Sequence, residues 1–127
     1  MDKKFCNIEE QILNIWDSQE SHKSQAIPII LYSKNGKPFE VPVLLDSDDI
    51  FFSPFFIIKS IDKIHLQVCL SALEPLGMDG CTIDFPGYVY SLGKTNQCVI
   101  VNFSHFCGIQ SLPPKLVNRS LPIIHPK

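Results

Sequence analysis

The sequence predicts a mainly β fold: an antiparallel β-sandwich or open barrel of about six to eight strands, with one short N-terminal amphipathic helix. Two observations carry this expectation. Apolar residues recur at helical spacing only over Ile8, Ile12, Ile15 and Trp16, whereas from residue 27 onward they alternate or run in short blocks. Those blocks are separated by many of the ten prolines and six glycines, which suit strands joined by turns better than a helical bundle. Hydrophobic residues make up 45% of the 127-residue chain, too large a share for a disordered polypeptide and enough for one domain with its own core.

The helix is expected over residues 8–19. Asn7 precedes Glu10 by three positions, close to a capping box. The stripe of Ile8, Ile12, Ile15 and Trp16 either covers the chain's own sheet or reaches to another subunit. Ser18 to Gln25 has no apolar residue and reads as a solvated linker. Residues 1–26 are thus helix and linker, 27–112 a β domain, and 113–127 a proline-rich tail.

Within the β domain, Ile27–Ser33 and Pro38–Leu45 flank Asn35-Gly36, the strongest short hairpin signal. Pro38 and Pro42 donate no ladder hydrogen bond, which pushes the second of these strands toward a sheet edge. Phe55–Ile61 and Lys63–Leu73 form the second expected hairpin, turning at Asp62. In its second strand Ile64, Leu66, Val68 and Leu70 share a buried face, and His65, Gln67, Cys69 and Ser71 the other. Cys69 then lies on a wet face, or is a small buried hydrophobe if another element covers it. Glu74–Gly80 reads as a loop, with a strand from Cys81 to Phe85. Tyr88–Leu92, a Gly93–Asn96 turn and Gln97–Phe103 make a third hairpin. Pro113-Pro114 ends regular structure, leaving Asn118–Lys127 as a loosely held tail.

The formal net charge of -2 comes without a basic block, so nothing offers an electrostatic track for nucleic acid. No run approaches the roughly 20 apolar residues that cross a bilayer, and the charged, amphipathic start is unlike a secretory signal. The expectation is a chain that stays in the cytosol where it is made, with no membrane partner. Its cysteines are Cys6, Cys69, Cys81, Cys98 and Cys107, an odd set that leaves one thiol over even after complete internal pairing.

The run from Thr95 to Leu112 is the most informative. In a strand Val99, Val101 and Phe103 enter a core while Cys98, Ile100 and Asn102 face the other way, so Cys98 is placed where a neighbouring molecule reaches it. Cys107 lies beyond the strand's end. This run resembles the C-terminal motif of the CotY, CotZ and ExsY family of spore coat and exosporium proteins, T-x-x-C-I-x-V-D-L-x-C-F-C-A-I-x-C-L. Cys98, Val101, Phe106, Cys107, Ile109 and Leu112 fall on it; Asn102 stands at its acidic position, and His105 and Ser111 where cysteines are usual. The likeness extends upstream through Ile30–Glu40, Phe56–Asp62 and Cys81-Thr82 in the family's order.

The resemblance implies a structural, non-enzymatic subunit, made in the mother cell and ending in the spore coat or exosporium. It packs there against copies of itself or other coat proteins, with Cys6, Cys69, Cys81, Cys98 and Cys107 as candidate cross-linking thiols and the stripe Ile8, Ile12, Ile15 and Trp16 as a candidate assembly helix. No cofactor is implied. The alternative is a small soluble Cys/His metal-binding or redox protein. His105 with Cys107 is the obvious nucleophile and base pair, but no strained turn, cationic pocket or cysteine-hydrolase signature accompanies it. Zinc held by Cys81, Cys98, His105 and Cys107 suits the chemistry, yet only His105-x-Cys107 is a close ligand pair. Asp46-Ser47-Asp48-Asp49 lacks the glycine and distal glutamate of a calcium loop. No residue is assigned as catalytic or as a metal ligand.

Overall fold

The computed structural model describes residues 8–21, 25–45, 48–83 and 88–122. Cys6, the Asn7 half of the capping box, and the expected strand end at Phe85 lie outside them. Ile8–Ser21 forms α1, two residues longer than the spacing predicts. Seven strands follow among the described residues: β1 (Ile29–Ser33), β2 (Val41–Leu44), β3 (Ile50–Ser53), β4 (Phe56–Asp62), β5 (Gln67–Leu76), β6 (Ser91–Asn102) and β7 (Phe106–Ser111). A 3₁₀ turn at Phe103–His105 joins β6 to β7, and another spans Pro114–Leu116. Five strands form one sheet in the order β6-β5-β4-β1-β7, and β2 pairs with β3 in a second. Every pair is antiparallel, as expected for a mainly β fold with one helix.

The larger sheet must coil. β6 and β7 are its two margins, four strand spacings or about 19 Å apart if flat. The four chain steps from Asn102 to Phe106 reach at most about 14 Å. Twist accumulated across the sheet brings the margins together at this end. Phe103 and Phe106, both 2% exposed, anchor the crossing in the core.

Alternation divides the side chains between two cores. One face carries Ile29, Leu31, Phe56, Ile58, Val68, Leu70, Ala72 and Val101, covered by Ile12 of α1 and Val43 of β2. The stripe of α1 therefore covers its own sheet: Ile12 is fully buried, with Ile8, Ile15 and Trp16 packed partly exposed around it. Gln19, placed by the sequence in a solvated linker, clamps this arrangement. Its Nε2 donates to the Ile58 carbonyl at 2.9 Å and its Oε1 accepts from the Ile27 amide at 3.0 Å. The opposite face buries Ile30, Ile57, Leu73 and Leu92 with Phe55, under Leu112, Leu116 and Val117. The C-terminal segment is held here as far as Arg119: the Asn118 amide donates to the Leu92 carbonyl, and the Arg119 guanidinium lies 3.9 Å over the Tyr90 ring.

Local departures from the sequence pattern have physical causes. The Asn35-Gly36 turn forms, but only Gly36 has positive φ (85°), so a type I turn with a glycine bulge replaces the two-residue form. After a bridge from Tyr32 to Pro38 the chain leaves the sheet, and β2 pairs with β3 instead, a strand absent from the expected set. Ile64 and Leu66 continue an alternation that the backbone does not follow. They sit in the β4–β5 turn, Ile64 at 88% exposure and Leu66 with φ of 54°. Asp62 organises that turn, accepting from the amides of Ile64 and His65 and lying 2.7 Å from His65 Nδ1.

The expected Glu74–Gly80 loop is strand as far as Leu76. There Pro75 pairs with Leu92 of β6 at a position beyond the reach of β4, so its missing N–H leaves no ladder partner unmet. The expected Gly93–Asn96 turn is a bulge in the continuous β6: Ser71 opposes Cys98 and Leu73 opposes Lys94, leaving three residues of β6 against Ala72 alone. Thr95 Oγ1 stabilises it by donating to the Ala72 carbonyl at 2.7 Å and accepting from the Gln97 amide at 3.1 Å.

Two outcomes follow from this packing. Gln19→Ala strands the Ile58 carbonyl and the Ile27 amide, and urea unfolding is expected to show a loss of about 1–3 kcal/mol. The His65 side-chain hydrogen bond, followed by the His65 backbone amide, holds the Asp62 carboxyl below its ordinary value of 3.8. A depressed folded-state pKa contributes stability that is full above the unfolded value and lost as pH falls through the folded one. Wild type is expected to be more stable than Asp62→Asn at neutral pH, with the gap closing as pH drops below 3.8.

Candidate assembly surface

The alternation of β6 places its side chains as the sequence requires. Val101 and Phe103 are buried, Val99 packs against the same core, and Cys98 and Ile100 point outward, with Ile100 at 66% exposure. On β5, Cys69 opposes Ile100 and Ser71 opposes Cys98. Directly opposed residues share a face, so Cys69, Cys98 and Ile100 lie together on the outward side of the sheet. Cys69 is half-buried and Cys98 exposed.

Cys107 sits at the other margin. A register shift in the β1–β7 pairing, where Tyr32 opposes Gly108 and Ser33 opposes Phe106, turns Cys107 out of the alternation. Its thiol donates to the Ser33 carbonyl at 3.3 Å and the residue is exposed. Cys81 follows β5 in an exposed loop, lining a groove of about 670 Å³ with Glu74, Thr82 and the Thr95–Gln97 bulge. No disulfide joins any two of the four described cysteines. The two motif cysteines thus lie on the two marginal strands of one sheet, which sequence spacing alone does not reveal.

The sets proposed for metal or redox chemistry are not assembled. Cys98 is on β6, His105 in the 3₁₀ turn with its ring edge-on to Phe106, and Cys107 on β7. Among the described residues no group of three or more His, Cys, Asp or Glu side chains converges to hold a metal ion. No helix among them is long and apolar enough to cross a membrane.

A further surface escapes the sequence reading. The outer face of the β2–β3 ribbon presents Leu44, Ile50 and Phe52, exposed by 62%, 64% and 57%. Leu44 opposes Ile50 and Pro42 opposes Phe52, so these apolar side chains form one contiguous patch. The signal for it was the Ile50-Phe51-Phe52 run, which needs a partner strand to show which of its residues point outward.

Comparison with known proteins gives a consistent picture. The family model described as Spore coat protein Z matches residues 1–114. Spore coat protein Z of Bacillus subtilis (strain 168) is 28% identical over 103 residues, covering 76% of this chain and 63% of that relative. The chain therefore spans a little under two thirds of that relative's length. No solved structure matches.

The exposures set an order of thiol reactivity. With a maleimide probe on the folded, reduced chain, mass mapping is expected to show Cys81 and Cys98 modified well before the half-buried Cys69, and all equally once denatured. Equal rates in the folded chain would contradict the placement of Cys69.

Proposed function

The chain belongs to the Spore coat protein Z family, and from that premise we propose that it is a structural subunit of the spore surface layer that packs against copies of itself or related coat proteins, its thiols then oxidising across the contacts. Family membership supports the coarser part, a structural place in the spore coat rather than an enzymatic one. The observation that carries the finer part is the position of Cys98 and Cys107, exposed on the two marginal strands of one coiled sheet. Marginal strands meet neighbours through unpaired backbone groups, and an exposed cysteine stands on each of these two. The apolar patch of Leu44, Ile50 and Phe52 gives a second surface that gains from being covered.

The order of events follows from energetics. Non-covalent contacts fix the arrangement while the thiols are reduced, and they dissociate on dilution. Disulfides formed later remove that escape, because a covalent link is independent of concentration. The stripe on α1 serves the fold of the single subunit, and assembly rests on the sheet margins and the β2–β3 patch.

The test uses the full chain purified under reducing conditions, then oxidised mildly. Light scattering across concentration, non-reducing gels and negative-stain images are compared with the Cys98→Ser/Cys107→Ser variant. Wild type is expected to form assemblies that survive detergent only without reductant, whereas the variant forms assemblies that detergent dissolves. Wild type that stays monomeric at high concentration, oxidised or not, contradicts self-association.

A further inference from the structure

The backbone of β6 shows which of its groups are left over. The Phe103 amide donates to the Leu66 carbonyl, and that pair continues the β5–β6 register, so odd-numbered residues of the strand's second half bond toward β5. Cys98, Ile100 and Asn102 therefore direct their N–H and C=O groups away from the sheet. On the same margin the Leu92 carbonyl accepts from the Asn118 amide and the Lys94 amide donates to Asn118 Oδ1. The C-terminal segment thus closes this border as far as Lys94, and the Thr95–Gln97 bulge follows. At the other end Asn102 caps the 3₁₀ turn, its side chain accepting from the Ser104 amide. The open border is the run from Cys98 to Asn102, to which no strand pairs among the described residues.

Length, charge and direction decide what pairs there. The run is bounded by a bulge on one side and a turn on the other, and an identical run laid antiparallel to it ends where it ends at both sides. It holds no charged residue and no proline, the devices that keep marginal strands apart, so a second copy meets neither a like charge nor a missing donor. Its outer face carries Ile100 at 66% exposure, an apolar side chain that gains from a partner. Strand direction selects how that copy arrives. Four successive antiparallel pairings make β6 and β7 run the same way, so a head-to-tail join with the same face outward would set β7 parallel to β6. A two-fold axis normal to the sheet pairs β6 with β6 in antiparallel fashion, as in every strand pair of the two sheets, and slightly more stably per residue.

We propose that two copies join β6 to β6 about a two-fold axis at Ile100, the centre of the open run, through a non-covalent antiparallel ladder from Cys98 to Asn102. The join rests on the assembly proposed above and specifies its first contact. Ile100 exchanges N–H and C=O with its own counterpart, and the Asn102 amide donates to the Cys98 carbonyl of the other copy. These groups all point outward in the single chain, so the ladder displaces none of its bonds. The two Ile100 side chains meet on the outer face, where opposed residues stand about 5.5 Å apart and shield each other from water. Lys94 and the Thr95–Gln97 bulge lie beyond the ladder, which leaves the Lys94 bond to Asn118 in place. Past Asn102 the chain has already turned inward at the buried Phe103. Each Cys98 falls opposite Asn102, and the two Cys98 residues stand about 14 Å apart along the join. They form no disulfide with each other and remain on the outer face for contacts with further subunits.

The test follows the full-length chain under reducing conditions by sedimentation equilibrium across concentration. Ile100→Lys and Ile100→Glu each set like charges face to face on the axis and are expected to lose the dimer, while circular dichroism and thermal unfolding stay at wild-type values because Ile100 is exposed. An equimolar mixture of the two variants sets lysine opposite glutamate and is expected to dimerise again. A chain retaining cysteine only at position 98 is expected to give a covalent dimer with a bismaleimide that spans about 14 Å, and to lose that band when Ile100→Lys is added. The two-fold join is overturned if Ile100→Lys dimerises or cross-links as its parent does, or if both variants fail and their mixture fails too. Either result with a wild type that still associates overturns this join alone, whereas a wild type that never associates overturns the assembly reading with it.

Discussion

Three residues, Phe103 to His105, carry the chain from one margin of a five-stranded sheet to the other, and the rest of the architecture answers to that short span. A flat sheet is too wide for it, so the sheet coils. Phe103 and Phe106 fix the crossing by burying their rings, and Phe106 meets Phe39 edge-on at 5.2 Å, where Phe39 in turn stacks on Phe56. Coiling leaves one face of the sheet to be covered, which α1 and the β2–β3 ribbon do with Ile12 and Val43. Among the described residues every buried side-chain polar atom finds a hydrogen-bond partner, so the covering costs no unmet polar group.

The same constraint decides what is left open. Because β6 and β7 draw together only at the Phe103 end, they do not pair along their length, and each remains a margin. A closed barrel would have hidden these strands, and a flat sheet would have set them on opposite sides of the molecule. The cysteines of the C-terminal motif lie on these margins, Cys98 in mid-strand and Cys107 at a shift in register. Exposed thiols therefore stand on the two borders of one sheet.

Much of this is legible in the sequence where one period dominates. The alternation of Val99, Val101 and Phe103 against Cys98 and Ile100 survives in β6 because one side of that strand is buried and the other is not. The α1 stripe is legible for the same reason. Where the pattern misleads, a long-range partner decides. Ile64 and Leu66 alternate correctly with Val68 and Leu70, yet Asp62 captures the amides of Ile64 and His65 and turns the chain before the strand begins. Gly93–Asn96 has turn composition, but β5 keeps the segment in the sheet and absorbs it as a bulge. Gln19 looks like linker because its two partners, Ile58 and Ile27, are distant or unremarkable in sequence. That Cys98 and Cys107 occupy opposite margins depends on strand order, which no local pattern contains.

The most direct check on these open borders is amide hydrogen exchange along β6, read residue by residue in dilute and in concentrated solution under reducing conditions. In the dilute chain the amides of Cys98, Ile100 and Asn102 should exchange much faster than those of Val99 and Val101, and concentration should protect them. Equal protection of all five in the dilute monomer, unchanged on concentrating, would mean that the margin is already satisfied within one chain and would contradict the account.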